Sequence, residues 1–146
     1  MKIQAFYTKE VVAAEPTESL SEAVIRMAEN RIGSLVITQG SQLVGILTER
    51  DILRAIADGR EPKATPVAEY MTPDPATAGL DEDSERVVER MLKLAIRHMP
   101  IIDDGRLAGI VSARDVLMLE AWPPSDYRRR LLESAQPLTS GRPGVA

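Results

Sequence analysis

The sequence predicts an α+β fold in which two tandem βαββα units, related by a pseudo-twofold axis, pack sheet to sheet. The chain repeats itself at a fixed offset of 64 residues without a gap, so that Arg26-Met27 recurs as Arg90-Met91 and Gly45-Ile46 as Gly109-Ile110. Helical and strand periodicities alternate in the same order in both copies. A repeat of about 60 residues is marginal as an independent fold, which favours two repeats that share one core.

Residues 1–57 form the first repeat, and its predicted elements follow from changes of hydrophobic period. Short aliphatic runs predict strands, apolar residues at helical spacing predict helices, and residues 16–19 supply turn and N-cap chemistry before the first helix. The second and third strands are separated by a polar turn and form a hairpin. In chain order we expect a strand at 11–13, a helix from 20 to about 30, strands at 35–37 and 43–47, and a helix at 49–57.

Residues 58–66 contain one glycine and two prolines and are predicted to be a linker. The second repeat, residues 67–121, has the same order of elements: a strand at 76–78, a helix from about 83 to 94, strands at 99–102 and 107–111, and a helix at 113–121. In the C-terminal tail, residues 122–146, we expect one short helix followed by disorder. The three arginines at 128–130 are interpreted as a solvated face.

The composition argues against several classes of protein. The 146 residues are 44% hydrophobic and 27% charged, which is typical of a soluble globular protein, and 3% aromatic residues predict an aliphatic core. A net charge of -4 is opposite to the basic footprint of a nucleic-acid binder, and the lack of cysteine excludes disulfides. Because we find neither a signal peptide nor an apolar run of about 18 residues, we expect a cytoplasmic protein with no membrane partner.

Both repeats end their last strand with a hydroxyl and begin a helix that carries an Arg-Asp pair. Thr48-Glu49-Arg50-Asp51 recurs as Ser112-Ala113-Arg114-Asp115. A hydroxyl followed three residues later by a carboxylate is related to a capping box, which stabilises a helix N-terminus. The same groups can bind a sugar phosphate, because helix amides and guanidinium bind phosphate and a carboxylate accepts hydrogen bonds from ribose. The pattern is compatible with both roles.

These motifs resemble a tandem pair of cystathionine-β-synthase-type (CBS) domains over roughly residues 3–120. The order, spacing and duplication of the motifs agree with that family. They are Tyr7-Thr8 and Met71-Thr72, residues 32–37 and 96–102, and the G-h-h-T/S-x-x-D segments 45–51 and 109–115. The resemblance implies clefts between the sheets that bind AMP, ADP, ATP or S-adenosylmethionine as a ligand, with no catalytic cofactor.

The resemblance also implies which residues contact the ligand. In the family the closing Asp holds ribose, so Asp51 and Asp115 receive that role, while the neighbouring hydroxyls and basic residues meet phosphate. The two clefts differ, and the one at Asp115 is expected to be the better nucleotide site, because Thr77 replaces Ala13 and residues 97–100 replace Gly33-Ser34-Leu35-Val36. The implied ligand residues are Thr48, Arg50, Asp51, Thr77, Arg97, His98, Met99, Pro100, Ser112, Arg114 and Asp115.

The sequence predicts a regulatory module and not an enzyme. It contains no Gly-rich phosphate loop, nucleophile elbow or Ser-His-Asp order, and the single histidine, His98, has no companions at metal-ligand spacing. The leading hypothesis is a stand-alone sensor in which nucleotide binding shifts the angle between repeats or subunits, and an unidentified protein target detects the change. The expected assembly is a homodimer. The alternative is a ligand-free scaffold that serves only for dimerisation or partner docking.

Overall fold

The computed structural model describes residues 1–121, and the predicted tail at 122–146 lies outside the described residues. The predicted mixed α and β architecture is confirmed. The described elements are β1 (Ala13–Ala14), α1 (Leu20–Asn30), β2 (Ser34–Gln39), β3 (Gln42–Thr48), α2 (Glu49–Ala57), β4 (Thr72–Pro73), β5 (Ala78–Gly79), α3 (Ser84–Lys93), β6 (His98–Asp103), β7 (Arg106–Ser112) and α4 (Ala113–Ala121). Within residues 1–121, the helices are too short or too polar to cross a bilayer.

Two sheets form the centre of the molecule, with the strand orders β1-β2-β3-β4 and β5-β6-β7. In each sheet the predicted hairpin is antiparallel, and the short first strand runs parallel to its neighbour. The sheets contact each other through β3 and β7. The helix α2 directly follows β3, and α4 directly follows β7.

The two short strands lie slightly later than predicted. The sequence predicted strands at 11–13 and 76–78, whereas pairing occurs at Ala13–Ala14 and Ala78–Gly79. Each pairs only two residues with the neighbouring strand, for example Ala13 with Val36. The position of such a strand is set by its partner, because two residues are too few to carry a hydrophobic period.

Each repeat contributes its first residues to the core of the other repeat. Ile3 and Phe6 are buried among the core residues of the second repeat, while Val67 and Tyr70 are buried in the core of the first. The backbone bonds follow the same symmetry. The Ile3 amide donates to the carbonyl of Glu82 at 2.8 Å, and the Val67 amide, 64 residues later, donates to Glu18 at 2.8 Å. The boundaries of the two sequence repeats therefore differ from those of the two packed cores.

Gly45 and Gly109 allow the exchanged segments to cross the sheets. The Thr8 amide donates to the carbonyl of Ile110 at 2.8 Å, which holds the N-terminal segment against β7. A Cβ atom at Gly109 would overlap the Tyr7 ring and the Thr8 carbonyl, and one at Gly45 would meet the Met71 side chain. The repeated glycines are thus explained by close backbone approach.

Candidate functional site

The first helix start forms a complete capping box at the beginning of α2. The carboxylate of Asp51 accepts hydrogen bonds from the Thr48 amide at 2.9 Å and from its hydroxyl at 3.1 Å. The second carboxylate oxygen accepts a bond from Arg54 Nη2 at 3.1 Å. Because Asp51 is buried and both of its oxygens have partners inside the protein, its observed contacts stabilise the helix start.

The second helix start is built differently at the same positions. The Ser112 hydroxyl accepts a hydrogen bond from the Asp115 amide at 3.0 Å, as a helix cap does. Met118 stands where the first repeat has Arg54, so the residue at this position differs in charge between the two repeats. Asp115 is half-buried, and Ser112 lies opposite His98 in the β6–β7 pair. This pairing brings the cap beside the beginning of β6.

Charged residues of both repeats meet around His98. The Arg97 carbonyl accepts a bond from the amide of Ala113, the first residue of α4, at 2.9 Å. Burial lowers the pKa of the half-buried His98, the charge of Arg97 lowers it further, and the charges of Asp115 and Glu49 partly oppose this. Glu49 belongs to α2 of the first repeat. The sequence analysis did not predict Glu49 as a site residue, although the sequence shows that Ala113 replaces it in the second repeat.

The remaining predicted site residues divide by burial. Met99 is fully buried in the core, and Pro100 is also buried in β6. Arg50, Arg97 and Arg114 are exposed, and Thr48, Thr77 and Ser112 are half-buried. Thr77 lies directly before β5, and its carbonyl accepts a hydrogen bond from an arginine of α3.

That arginine is Arg90, and the equivalent Arg26 makes the same kind of contacts in the first repeat; we call each set of contacts an arginine clamp. From the sequence, these two residues were known only as identical residues at the repeat offset. Arg90 donates to the Thr77 carbonyl at 2.9 Å and to Glu82 at 3.0 Å. Arg26 makes the same two contacts in the first repeat, with Glu18 at 2.7 Å as its carboxylate partner. The hydrogen bond from Arg26 holds the pKa of Glu18 below its usual value. The clamps fix the loops that lead from the short strands to α1 and α3.

Comparison with known proteins adds independent information. The family model described as CBS domain matches residues 3–58 and 67–121. An uncharacterized 17.7 kDa protein in the bps2 3' region of Acidianus ambivalens is 40% identical over 119 residues, which is 79% of this chain and 70% of that protein. The chain spans between 25% and 70% of the length of the first four curated relatives it matches.

Two solved structures combine the same fold with bound ligands. The CBS domain protein PAE2072 from Pyrobaculum aerophilum, complexed with AMP, has a TM-score of 0.74 and 27% identity, covering 79% of this chain and 89% of that chain. The CBS domain pair of protein MJ0100, in complex with 5′-methylthioadenosine and S-adenosyl-L-methionine, has a TM-score of 0.76 and 30% identity, covering 83% of this chain and 96% of that chain. The second of these is described as a CBS domain pair, and the family model likewise matches this chain twice.

Proposed function

Because the chain belongs to the CBS domain family, we propose that it is a regulatory module that binds an adenine nucleotide beside Asp115 and releases it unchanged. The observation that carries the proposal is the meeting of Ser112, Asp115 and Arg97 at the N-terminus of α4. Helix amides, a hydroxyl and a guanidinium suit a phosphate, and a carboxylate suits ribose. The relatives that hold AMP or methylated adenosine derivatives support the same ligand class.

The proposed signal is a change in the arrangement of the two repeats. The site lies where the repeats meet, because the charge of Glu49 on α2 acts on His98 at the start of β6. A ligand placed there touches both repeats and favours the arrangement in which both sets of contacts are made. An unidentified protein target would respond to that arrangement.

Binding is tested by thermal unfolding and calorimetry with AMP, ADP, ATP and S-adenosylmethionine, with GMP as the control nucleotide. A ligand at about 100 times its Kd adds about 2.7 kcal/mol to the free energy of unfolding. For a chain of this size the melting temperature then rises by about 5 to 11 °C. Failure of every adenine compound to bind would contradict the proposal.

Two matched variants separate binding from stability. Asp115→Ala removes the proposed ribose acceptor and lowers nucleotide affinity by about tenfold or more, because a hydrogen bond to a charged group contributes about 1.5 to 3 kcal/mol. Asp51→Ala removes a buried cap and lowers the free energy of unfolding by about 1 to 2 kcal/mol. If both variants bind nucleotide like the unaltered protein and change only stability, the ligand-free scaffold is the better explanation.

We also propose a homodimer that forms through α1 and α2 of the first repeat. Ile25, Leu53 and Ile56 are more than half exposed there, and an apolar groove of about 250 Å³ lies between the two helices. Exposed Glu29 on α1 and exposed Arg50 on α2 carry opposite charges. A twofold arrangement that sets α1 against α2 of a second copy would therefore bury the apolar residues and bring opposite charges together.

A further inference from the structure

The arginine clamp of the second repeat fixes the backbone of Thr77. Arg90 Nη2 donates to the Thr77 carbonyl at 2.9 Å, and the two terminal nitrogens of the guanidinium bind the Glu82 carboxylate at 3.0 and 3.3 Å. Glu82 in turn accepts a hydrogen bond from the Gly79 amide at 2.8 Å. Because a planar guanidinium directs its donors in fixed directions, these bonds hold the backbone at residues 77, 79 and 82 in one arrangement.

The Thr77 side chain points away from the core of the second repeat. Ala76 and Ala78 both pack in that core. Adjacent side chains of an extended chain point to opposite faces, so Thr77, which stands between them, points to the other face of the sheet. Because Arg90 binds the carbonyl of Thr77, the clamp positions the hydroxyl without bonding to it.

Two residues of the proposed site share this face. His98 and Ser112 pair with each other across β6 and β7, and their strand neighbours Met99 and Val111 are in the core. His98 and Ser112 therefore point away from the core, as Thr77 does. The strand β5 lies directly beside β6 in the same sheet. The two hydroxyls and the imidazole thus lie on one face of three adjacent strands.

We propose that Arg90 is a positioning residue, which sets the Thr77 hydroxyl against a nucleotide bound beside Asp115. This inference deepens the proposed function and depends on it. A hydroxyl both donates and accepts hydrogen bonds, so it suits the ribose and the phosphate of such a ligand alike. A group that is already held in place loses less freedom when the ligand binds, and this is the contribution that the clamp makes.

The first repeat has the same clamp without the hydroxyl. Arg26 donates to the Ala13 carbonyl at 2.7 Å and to the Glu18 carboxylate at 2.7 Å. Ala13 stands where the second repeat has Thr77, and its side chain has no polar atom. A structural role of the clamp is therefore common to both repeats, whereas an effect through a hydroxyl belongs to the second repeat. Arg26 is for this reason a matched control for Arg90.

The test measures, by calorimetry, the binding of the tightest ligand among AMP, ADP, ATP and S-adenosylmethionine to Arg90→Gln and to Arg26→Gln. Each variant loses one clamp, so we expect similar falls of the melting temperature. We expect the affinity to fall about threefold to tenfold in Arg90→Gln and to stay unchanged in Arg26→Gln, because one hydrogen bond between uncharged groups has about this effect. Thr77→Ala, which copies the first repeat, should lower the affinity by the same factor.

The double variant Arg90→Gln, Thr77→Ala shows whether Arg90 acts through Thr77. Without the hydroxyl the clamp has no side-chain group to position, so we expect the double variant to bind with the affinity of Thr77→Ala alone. If Arg90→Gln does not fold, Glu82→Gln compared with Glu18→Gln replaces the pair. This change keeps the size of the side chain and removes the charge that holds the guanidinium.

The possible outcomes distinguish the positioning role from the proposed function. Equal affinities of Arg90→Gln and Arg26→Gln overturn the positioning role, and so does a double variant in which the two single effects multiply. In both cases the proposed function stands, because the unaltered protein still binds its nucleotide. If the unaltered protein binds none of the four compounds, the proposed function fails and the positioning role fails with it.

Discussion

Asp51 and Asp115 occupy equivalent positions in the two repeats, yet they differ in burial and in the residues around them. Asp51 is buried, and Arg54 and the Thr48 cap take up both of its oxygens. Asp115 is half-buried and lies close enough to His98 for its charge to act on the imidazole. The sequence motif predicts a cap in both places, but it does not include the position one turn later, where Met118 replaces Arg54.

His98 gives the site a predictable pH dependence. Burial and Arg97 hold its pKa below the usual value near 6.5, so the imidazole is neutral at pH 7. The negative charge of a bound phosphate favours the protonated imidazole and raises this pKa again. We therefore expect AMP binding to take up a proton and to strengthen as the pH falls below about 6.5. Calorimetry at pH 6 in two buffers with different ionisation enthalpies measures that proton.

The stability of the unliganded protein should change in the opposite sense. Because the folded pKa of His98 is depressed, the unfolded chain binds a proton first as the pH falls below about 6.5, and the free energy of unfolding decreases. His98→Gln removes this contribution and also the proton uptake on binding AMP. Equal proton uptake by His98→Gln and the unaltered protein would assign the effect to another group.

At the scale of elements, prediction succeeded where the signal was local. The sequence predicted α2 and α4 with the bounds that are observed, because each follows a hydroxyl cap and keeps a helical period. It did not predict that residues 1–8 pack on the second repeat and that β4 joins the first sheet. Hydrophobic period identifies an apolar segment but contains no information about which of two similar cores will bury it.

The repeated glycines were the available signal for this exchange, and they provide a test of it. Gly109→Ala places a methyl group against the Tyr7 ring and the Thr8 carbonyl, so we expect the free energy of unfolding to fall by about 1 to 3 kcal/mol. Gly79→Ala is a suitable control, since the nearest atom outside its chain neighbours lies 4.0 Å away. Urea unfolding of both variants measures the difference. Equal stabilities would mean that the N-terminal segment does not press on β7 as described.

At the scale of the whole molecule, the exchange and the proposed site depend on each other. Each core needs residues from the other repeat, with Ile3 completing one and Val67 the other, so neither repeat has its full core alone. At the start of α2, the charge of Glu49 acts on His98 of the second repeat, so this helix start lies near the other repeat. Under the proposed function, a ligand at this helix start would contact both repeats and favour the arrangement in which both sets of contacts are made.

The outer helix faces of the two repeats are unequal, which predicts the surface used for dimerisation. Ile25 and Ile56 on the first repeat correspond to Glu89 and Glu120 on the second, and Ser84 and Glu120 form a hydrogen bond where the first repeat has Leu20 and Ile56. A stable interface covers about 800 Å² per partner and needs an apolar centre. The first repeat has apolar residues at these positions and the second has carboxylates, although Leu92, Leu94 and Leu117 are also exposed on the second.

Copying the residues of the second repeat onto the first should therefore yield a monomer. We expect the double variant Ile25→Glu, Ile56→Glu to remain folded, because both side chains are more than half exposed, at 55% and 54%. Its association should be lost, since the twofold contact would bury four unpaired carboxylates. Light scattering at high micromolar concentration measures the mass, and Leu92→Glu, at an exposed position of the second repeat, is the control that stays dimeric. A dimeric double variant, or a monomeric unaltered protein, would place the subunit contact elsewhere or remove it.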